Sequence, residues 1–599
     1  MEQLRATLLE IYNKNISYLQ KNYINLYHQI KQFEQLNIEN YFIDFKDNHF
    51  ELLDSGNLAY YNCDPFANAN YKANNLQQEQ IIELLSYTPI KGTHYQNSIN
   101  AYENVNEYIT NNTLNCHIEK FIFIGTLLGV HINDIDKLHN FKAYLIVEPS
   151  IEVFRLSLFL TDYEEVGKKS KLFFSINSDK NSLNHTIKRF LDYNYQYNTK
   201  IQFDLAHPKY IDLVEDISVS IAQNSQMTYP YSEYIVSMKR GYNYFKTSKN
   251  GILNINNLSN LINKPVLYLG ASSYVASKLE WIYLYQDYFI IVASSAILKR
   301  LEIINIIPDI IIAIDGQKDV MLEQFKVDQS IYKDSIIFAS IKTDEELFAK
   351  IDNEKLFLIQ DSFELFEDYG ILTGVTVGDI GINLLIKLGV KELYLLGFDA
   401  CINPNNGLTH DTLHRSSKKI NLDTKSSNYS KKIIYVKGNF EETVPTFVFY
   451  TGMIDNISAI NKQDTTIYNL SNGAYFQGTT PLKTTDVVFK EMINKTDFEA
   501  ATIEVLKNNC KTTLNNKDIA YLKKEKKVLL RLKQFKIDKF NKSFDTLLQK
   551  YPNSSFLQII QKYLYLIEPY ASCSNNYKPK QQHLNKILDI FEQILKGLI

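Results

Sequence analysis

The chain has one tryptophan against 42 tyrosines and 34 phenylalanines, and five cysteines in 599 residues. The cysteines (Cys63, Cys116, Cys401, Cys510 and Cys573) are scattered, with no CxxC pair. That excludes metal-knuckle spacing and predicts reduced thiols instead of a disulfide framework. Charge of one sign is also missing: 64 basic residues face 67 acidic ones, a formal net charge of -3. This balance leaves no electrostatic case for a general nucleic-acid binder. The longest apolar stretch, Ile303 to Ile314, is broken by Asn305, Pro308 and Asp309, so it is too short to span a bilayer. Glu2, Arg5 and Glu10 interrupt the first helix, so no signal peptide is visible and a soluble, cytoplasmic protein is expected. The tyrosine excess accompanies Asn and Lys runs such as Lys523-Lys524-Glu525-Lys526-Lys527. It reads as codon bias in an AT-rich genome, not as an aromatic platform for carbohydrate.

What is present is ordinary globular material, 45% hydrophobic and 22% charged, in a chain too long for one core. No fixed-period repeat occurs. Helical spacing of Leu4, Leu8, Ile11, Ile16, Leu19 and Tyr23 opens the chain, and a further helix is expected over about 77–85. A first α/β unit follows: Phe121-Ile122-Phe123-Ile124, the turn Gly125 to Gly129, and a second strand ending at Glu148. In a Rossmann-like domain an acidic residue there would hold a ribose, although Gly125 and Gly129 form a reduced glycine turn. After Pro481 the β signals stop, and amphipathic helical segments run to the end. Four regions are expected: 1–115, mixed and helical; 116–240, Rossmann-like; 241–482, a larger α/β domain with a mostly parallel sheet; and 483–599, a helical bundle.

The larger α/β block carries the candidate chemistry. Its strands end on Gly, Ser or Asp, which places ligand contacts at the carboxyl edge of a parallel sheet. The turn Gly270-Ala271-Ser272-Ser273 offers unpaired backbone amides to an anion. Asp315 ends its own strand and would face the crevice. Thr373, Gly374 and Thr376 precede an apolar helix and suit a phosphate or ribose; Gly389 ends that helix. Gly397-Phe398-Asp399 leads into a polar loop that reaches His410, with His414 and Arg415 close behind. A histidine of near-neutral pKa can take a proton from a hydroxyl. Asn439, and then Asn472 and Gly473, end later strand-like runs and would close over a base or sugar.

In this order, Gly270-Ala271-Ser272-Ser273, Pro308-Asp309 to Asp315, Thr376-Val377-Gly378, Gly397-Phe398-Asp399, Thr409-His410, Lys437-Gly438-Asn439 and Asn469 to Ala474 resemble the motility accessory factor family. One departure stands out: the family turn commonly reads Gly-x-Gly-Pro-Ser, and here its last three positions are Ser272-Ser273-Tyr274. The resemblance implies a central domain similar to bacterial sialyltransferases. It also implies transfer of a nonulosonic acid, pseudaminic or legionaminic, from its CMP ester to Ser/Thr of flagellin, as part of flagellum assembly and motility.

On that reading CMP binds between the Gly270–Ser273 turn and the Thr373–Gly378 loop, Asp399 and Asn472 hold ribose or base, His410 is the general base, and Asp315 places donor or acceptor. The activated sugar is a co-substrate and no separate cofactor is expected. No Asp-x-Asp motif sits at a strand end, so no metal is expected either. Two other readings stand beside it: a pterin-type pyrophosphokinase, and a non-enzymatic flagellin-binding assembly factor.

Overall fold

The computed structural model describes the chain except at residues 1, 37, 47–48, 62, 77–79, 92–99, 226–230, 353, 375, 421–434, 447–456, 458–464 and 536–539. Its contacts divide into two compact units. Met1–Lys91, Ala101–Tyr229 and Ile560–His583 belong to one, and Pro230–Ile559 with Leu584–Ile599 belong to the other. Residues 1–91 and 101–229 thus fall in one unit, residues 230–240 in the other, and the helices after 483 are divided between the two.

The first unit is built on a five-stranded sheet in the order Ile81–Glu83, Lys200–Leu205, Lys120–Ile124, Ala143–Glu148, Lys171–Ile176. All pairings are parallel except that of Ile81–Glu83. That strand corrects the helix expected over 77–85, part of which lies outside the described residues. Ile81 and Ile82 are β-branched, and they find a partner strand in Lys200–Gln202 far along the chain. The thiol expectation is also corrected: Cys116 and Cys573 form a disulfide, their Cα atoms 4.6 Å apart. They are 457 residues apart in sequence, so spacing gave no sign of the pairing.

The second unit holds a ten-stranded sheet. Its order is Thr480–Pro481, Thr466–Asn469, Glu392–Leu396, Val266–Leu269, Ile290–Ser294, Ile310–Ala313, Ile336–Ser340, Leu356–Ile359, Ile252–Leu253, Cys510–Lys511. Every pairing is parallel except the last. The inner strands are buried along their whole length, as a parallel sheet covered on both faces requires. The fold is therefore α/β with a mostly parallel central sheet and helices toward the carboxyl end, as the sequence predicts.

The strand order reverses at Val266–Leu269. From there the chain steps outward through 290–294, 310–313, 336–340 and 356–359, then returns on the other side with 392–396 and 466–469. A crevice opens at the carboxyl ends of strands on either side of such a reversal. The helix Val377–Lys387 packs over the sheet, started by a capping box between Thr376 and Asp379. Gly381 lies where any Cβ would sit 2.2 Å from the Tyr268 hydroxyl, which itself donates to the Val377 carbonyl at 2.9 Å. Gly389 has φ +87° and ends the helix as expected.

The reversal depends on two glycines packed back to back. A Cβ on Gly270 would lie 2.5 Å from the Gly397 carbonyl oxygen, and one on Gly397 would lie 2.5 Å from that of Gly270. Gly397 also has φ +91°. Gly397→Ala is expected to lower stability by at least about 2 kcal/mol through strain and overlap together. Thermal unfolding of the two chains checks this, and an unchanged melting temperature would show that the turns are not in contact.

Candidate functional site

Two adjoining clefts open at the carboxyl edge of the central sheet. The smaller, 190 Å³, lies over the strand-order reversal and is lined by Gly270, Ala271, Ser272, Ser294, Gly397 and Asp399, among others. The larger, 730 Å³, extends over the neighbouring strands and is lined by Asp315, Lys299, Glu323, Lys342 and Arg415, among others. Thr376, Val377, Thr409, His410 and His414 line both, so the two histidines stand at the boundary.

Asp399 is braced from behind. The Ser471 hydroxyl accepts from the amides of Gly397 (2.8 Å) and Phe398 (3.2 Å), and the Ala474 amide donates to the Asp399 carbonyl at 2.8 Å. Gly473 lies so close that a Cβ there would be 2.3 Å from the Asp399 Cβ. Asn439 completes the brace: its side-chain amide donates to the Ser471 carbonyl and its backbone amide to that of Gly473, each at 2.8 Å. Burial pushes the Asp399 carboxyl up to about 7; the Ser272 hydroxyl and the amides of Asp399 and Ala400 offset only part of that.

The histidine loop is pinned from two sides. Arg300 grips Asp411 with Nε at 3.0 Å and Nη2 at 2.8 Å, and the Asp411 amide donates to the Ala271 carbonyl at 2.9 Å. The Asp411 side chain is 3% exposed, so this bidentate pair is largely desolvated. His410 and His414 stack with centroids 4.6 Å apart and planes 10° apart. Burial, and then His414, push the His410 imidazole down to about 4, so it is neutral at physiological pH. Across the boundary, burial also raises the Asp315 carboxyl, against one hydrogen bond from the Gln317 amide.

The structure thus brings Gly270, Ala271, Ser272, Thr376, Gly397, Asp399 and His410 around the smaller cleft, with Asp315 in the larger. The other sequence candidates stand apart from both linings. Ser273 accepts a hydrogen bond from Asn403, and Asn472 donates to Glu441. Gly374 packs against Ile380, while Thr373 faces the Asn383 amide at the edge of hydrogen-bonding distance. Asn439 and Gly473 act on Asp399 from outside. Thr376 lines the clefts, but its hydroxyl is committed to the helix cap.

Sequence reading missed Arg300, whose partner is 111 residues away. It also missed Ser294, whose hydroxyl is buried in the smaller cleft without a partner among the described residues. Lys342 was missed as well; its ammonium is held by Glu233, Asp361 and Ser362. A serine ending a buried strand was the one available signal, at Ser294.

Two family models match successive parts of the chain. The Glycosyltransferase Maf N-terminal domain matches residues 11–203, and the 6-hydroxymethylpterin diphosphokinase MptE-like family matches residues 241–405. The first of these matches, with the like-named solved structure below, places the amino-terminal part of this chain with the Maf family. The family supports a glycosyltransferase role. The solved structure of the Maf glycosyltransferase from Magnetospirillum magneticum AMB-1 is similar over 98% of this chain and 95% of its own, with a TM-score of 0.63 at 13% identity. At that identity the likeness concerns the fold. No curated protein matches the sequence. Among the described residues, no helix is long and apolar enough to cross a membrane.

The Asp399 carboxyl has a testable signature. Its native pKa lies above the unfolded value, so its contribution to stability is complete below about pH 4 and is lost as pH rises to about 7. Asp399→Asn removes that dependence. Relative to the variant, the parent chain should lose up to roughly 4 kcal/mol of unfolding free energy between pH 4 and 7. Parallel stability curves for the two chains across that range would refute the assignment.

Proposed function

We propose that this Maf glycosyltransferase moves a nonulosonic acid, pseudaminic or legionaminic, from its CMP ester to serine and threonine hydroxyls of flagellin. The observation that carries the reading is the boundary position of His410, between a cleft at the strand-order reversal and a larger one beside it. CMP occupies the smaller cleft, over the Gly270 and Gly397 turns, with Asp399 against the ribose. The sugar and the acceptor hydroxyl meet in the larger cleft, where Asp315 places them. Asn472, held by Glu441, has no part in this arrangement.

In the transfer, the bond between the anomeric carbon and the phosphate oxygen breaks, and its electron pair leaves with CMP. The acceptor oxygen bonds to that carbon, and its proton passes to His410. A neutral imidazole suits this step, since a protonated one has no lone pair to offer. CMP is a good leaving group and the transition state is oxocarbenium-like. The remaining demands are to position the hydroxyl and to stabilise the departing phosphate, which backbone amides at the glycine turns can do. The step as written uses no cofactor beyond the CMP-activated sugar. The reaction belongs in the cytoplasm, before flagellin export, and the carboxyl-terminal helices dock the protein acceptor.

The match to the MptE-like family favours one other reading, diphosphate transfer to a pterin alcohol. A flagellin-binding assembly factor without catalysis is the third. Intact-mass measurement of flagellin incubated with the protein and each CMP-nonulosonic acid decides among them. A mass gain of one or more sugar residues is expected, with His410→Ala slower by about 10²–10⁴-fold. No gain with either donor would overturn the transferase reading. AMP released from ATP only when 6-hydroxymethylpterin is present would establish the second reading.

A further inference from the structure

The second imidazole of the loop, His414, has no role in the transfer as written, yet its geometry is tightly specified. It lies face to face with His410, and its Nδ1 accepts the Ser416 backbone N–H at 3.1 Å. A backbone N–H can only donate, so Nδ1 of His414 carries no proton and its ring proton sits on Nε2. The ring is therefore fixed in its plane, and both its burial and the loss of that hydrogen bond oppose its protonation. His410 has no comparable backbone anchor among the described contacts. Its Nδ1 meets the Thr409 hydroxyl at 3.1 Å, and its other constraint is the stack.

We infer that His414 is a positioning residue: its neutral ring is the plate that sets the plane of His410 and keeps water from one face of it. This rests on the reading of His410 as the base. The loop clamp extends to the same plate, because the His414 amide donates to the Asp411 carbonyl at 2.9 Å and Arg300 holds the Asp411 side chain. Protonation of His414 would break the Ser416 hydrogen bond and place a charge 4.6 Å from the acceptor imidazole. With the plate locked neutral, a proton taken from the substrate has His410 as its destination.

The charged groups around the pair come from several elements. Lys299 follows strand 290–294, and Glu323 sits on the helix after strand 310–313. Asp411 and Glu323 favour protonation of His414, and Lys299 opposes it. Asp399, Asp315, Arg415, Lys418 and the Lys342–Glu233 pair complete the surroundings. A change at His414 leaves all of these in place, so a shift in His410 reports on the plate.

The test compares His414→Ala, which removes the plate, with His414→Phe, which keeps an uncharged ring there. Histidine nitrogen chemical shifts, followed by NMR against pH in the full chain, read His410 directly and need no substrate. In the parent protein His410 should titrate near 4. In His414→Ala it should move up by a pH unit or more toward the ordinary histidine value, and in His414→Phe it should stay low. In the transfer assay His414→Ala should lose about tenfold or more in kcat with the donor KM unchanged, and its acid limb should move up by the same amount. His414→Phe should recover most of the rate.

A His410 titration that is the same in the parent and His414→Ala would overturn the inference. So would an alanine-like titration in His414→Phe, and that comparison stands even if the alanine variant folds poorly. Failure of the base reading looks different. His410→Ala would then transfer as fast as the parent, while the NMR shifts still reported the plate.

Discussion

The contact on which the site depends is the approach of two backbone turns. Gly270 and Gly397 end neighbouring strands, 127 positions apart in the chain, and each leaves room only for the other's carbonyl. Any side chain at either position would wedge the strands apart where their order reverses. Because the turns meet without side chains, the crevice floor is peptide backbone, and the polar groups stand around it: Ser272 and Asp399 on one wall, the histidine loop on another. The loop is in turn registered against the floor, through the Asp411 amide on the Ala271 carbonyl.

Burial acts on the two titratable groups of the smaller cleft in opposite directions. It raises the Asp399 carboxyl and lowers the His410 imidazole, and the result is the same for both, a preference for the uncharged form. The smaller cleft thus holds a neutral imidazole and a carboxyl poised between its two forms, with Lys299, Arg415 and Lys418 beside Glu323 in the larger cleft. An anionic ligand entering the larger cleft meets those three cations as well as the carboxyls of Glu233, Asp315 and Glu323. The polar interactions it makes there are little weakened by water.

Much of this was legible in the sequence because it is local. Strand ends at Gly270, Asp315 and Gly397, the threonine cap before Val377, and the glycine that ends that helix all follow from short patterns, and the structure has each of them. Parallel strands also read clearly, since an all-apolar run is the signature of a strand covered on both faces. What could not be read is pairing over distance. Arg300 with Asp411, Cys116 with Cys573, and Ile81–Glu83 with Lys200–Gln202 are set by the folded path, not by spacing. The polar residues after the strands were harder to sort. Asn439, Asn472 and Gly473 have the right chemistry for a ligand, but two of them brace Asp399 and the third turns to Glu441. Pattern shows that a polar side chain follows a strand; it does not show which way that side chain faces.

The amino-terminal sheet repeats the reversal architecture with a different outcome. A Cβ on Gly125 would strike the Tyr210 ring at 2.3 Å, and the Tyr210 hydroxyl lies 3.1 Å from both carboxyl oxygens of Glu148. The same carboxylate accepts the amides of Thr126 and Ser150, so the acidic group that would hold a ribose is wholly occupied by its own chain. A nucleoside could enter only by evicting a buried phenol and stripping a carboxylate of its donors. The amino-terminal copy of the reversal is therefore closed by its own side chains, whereas the crevice over the Gly270 and Gly397 turns stays open.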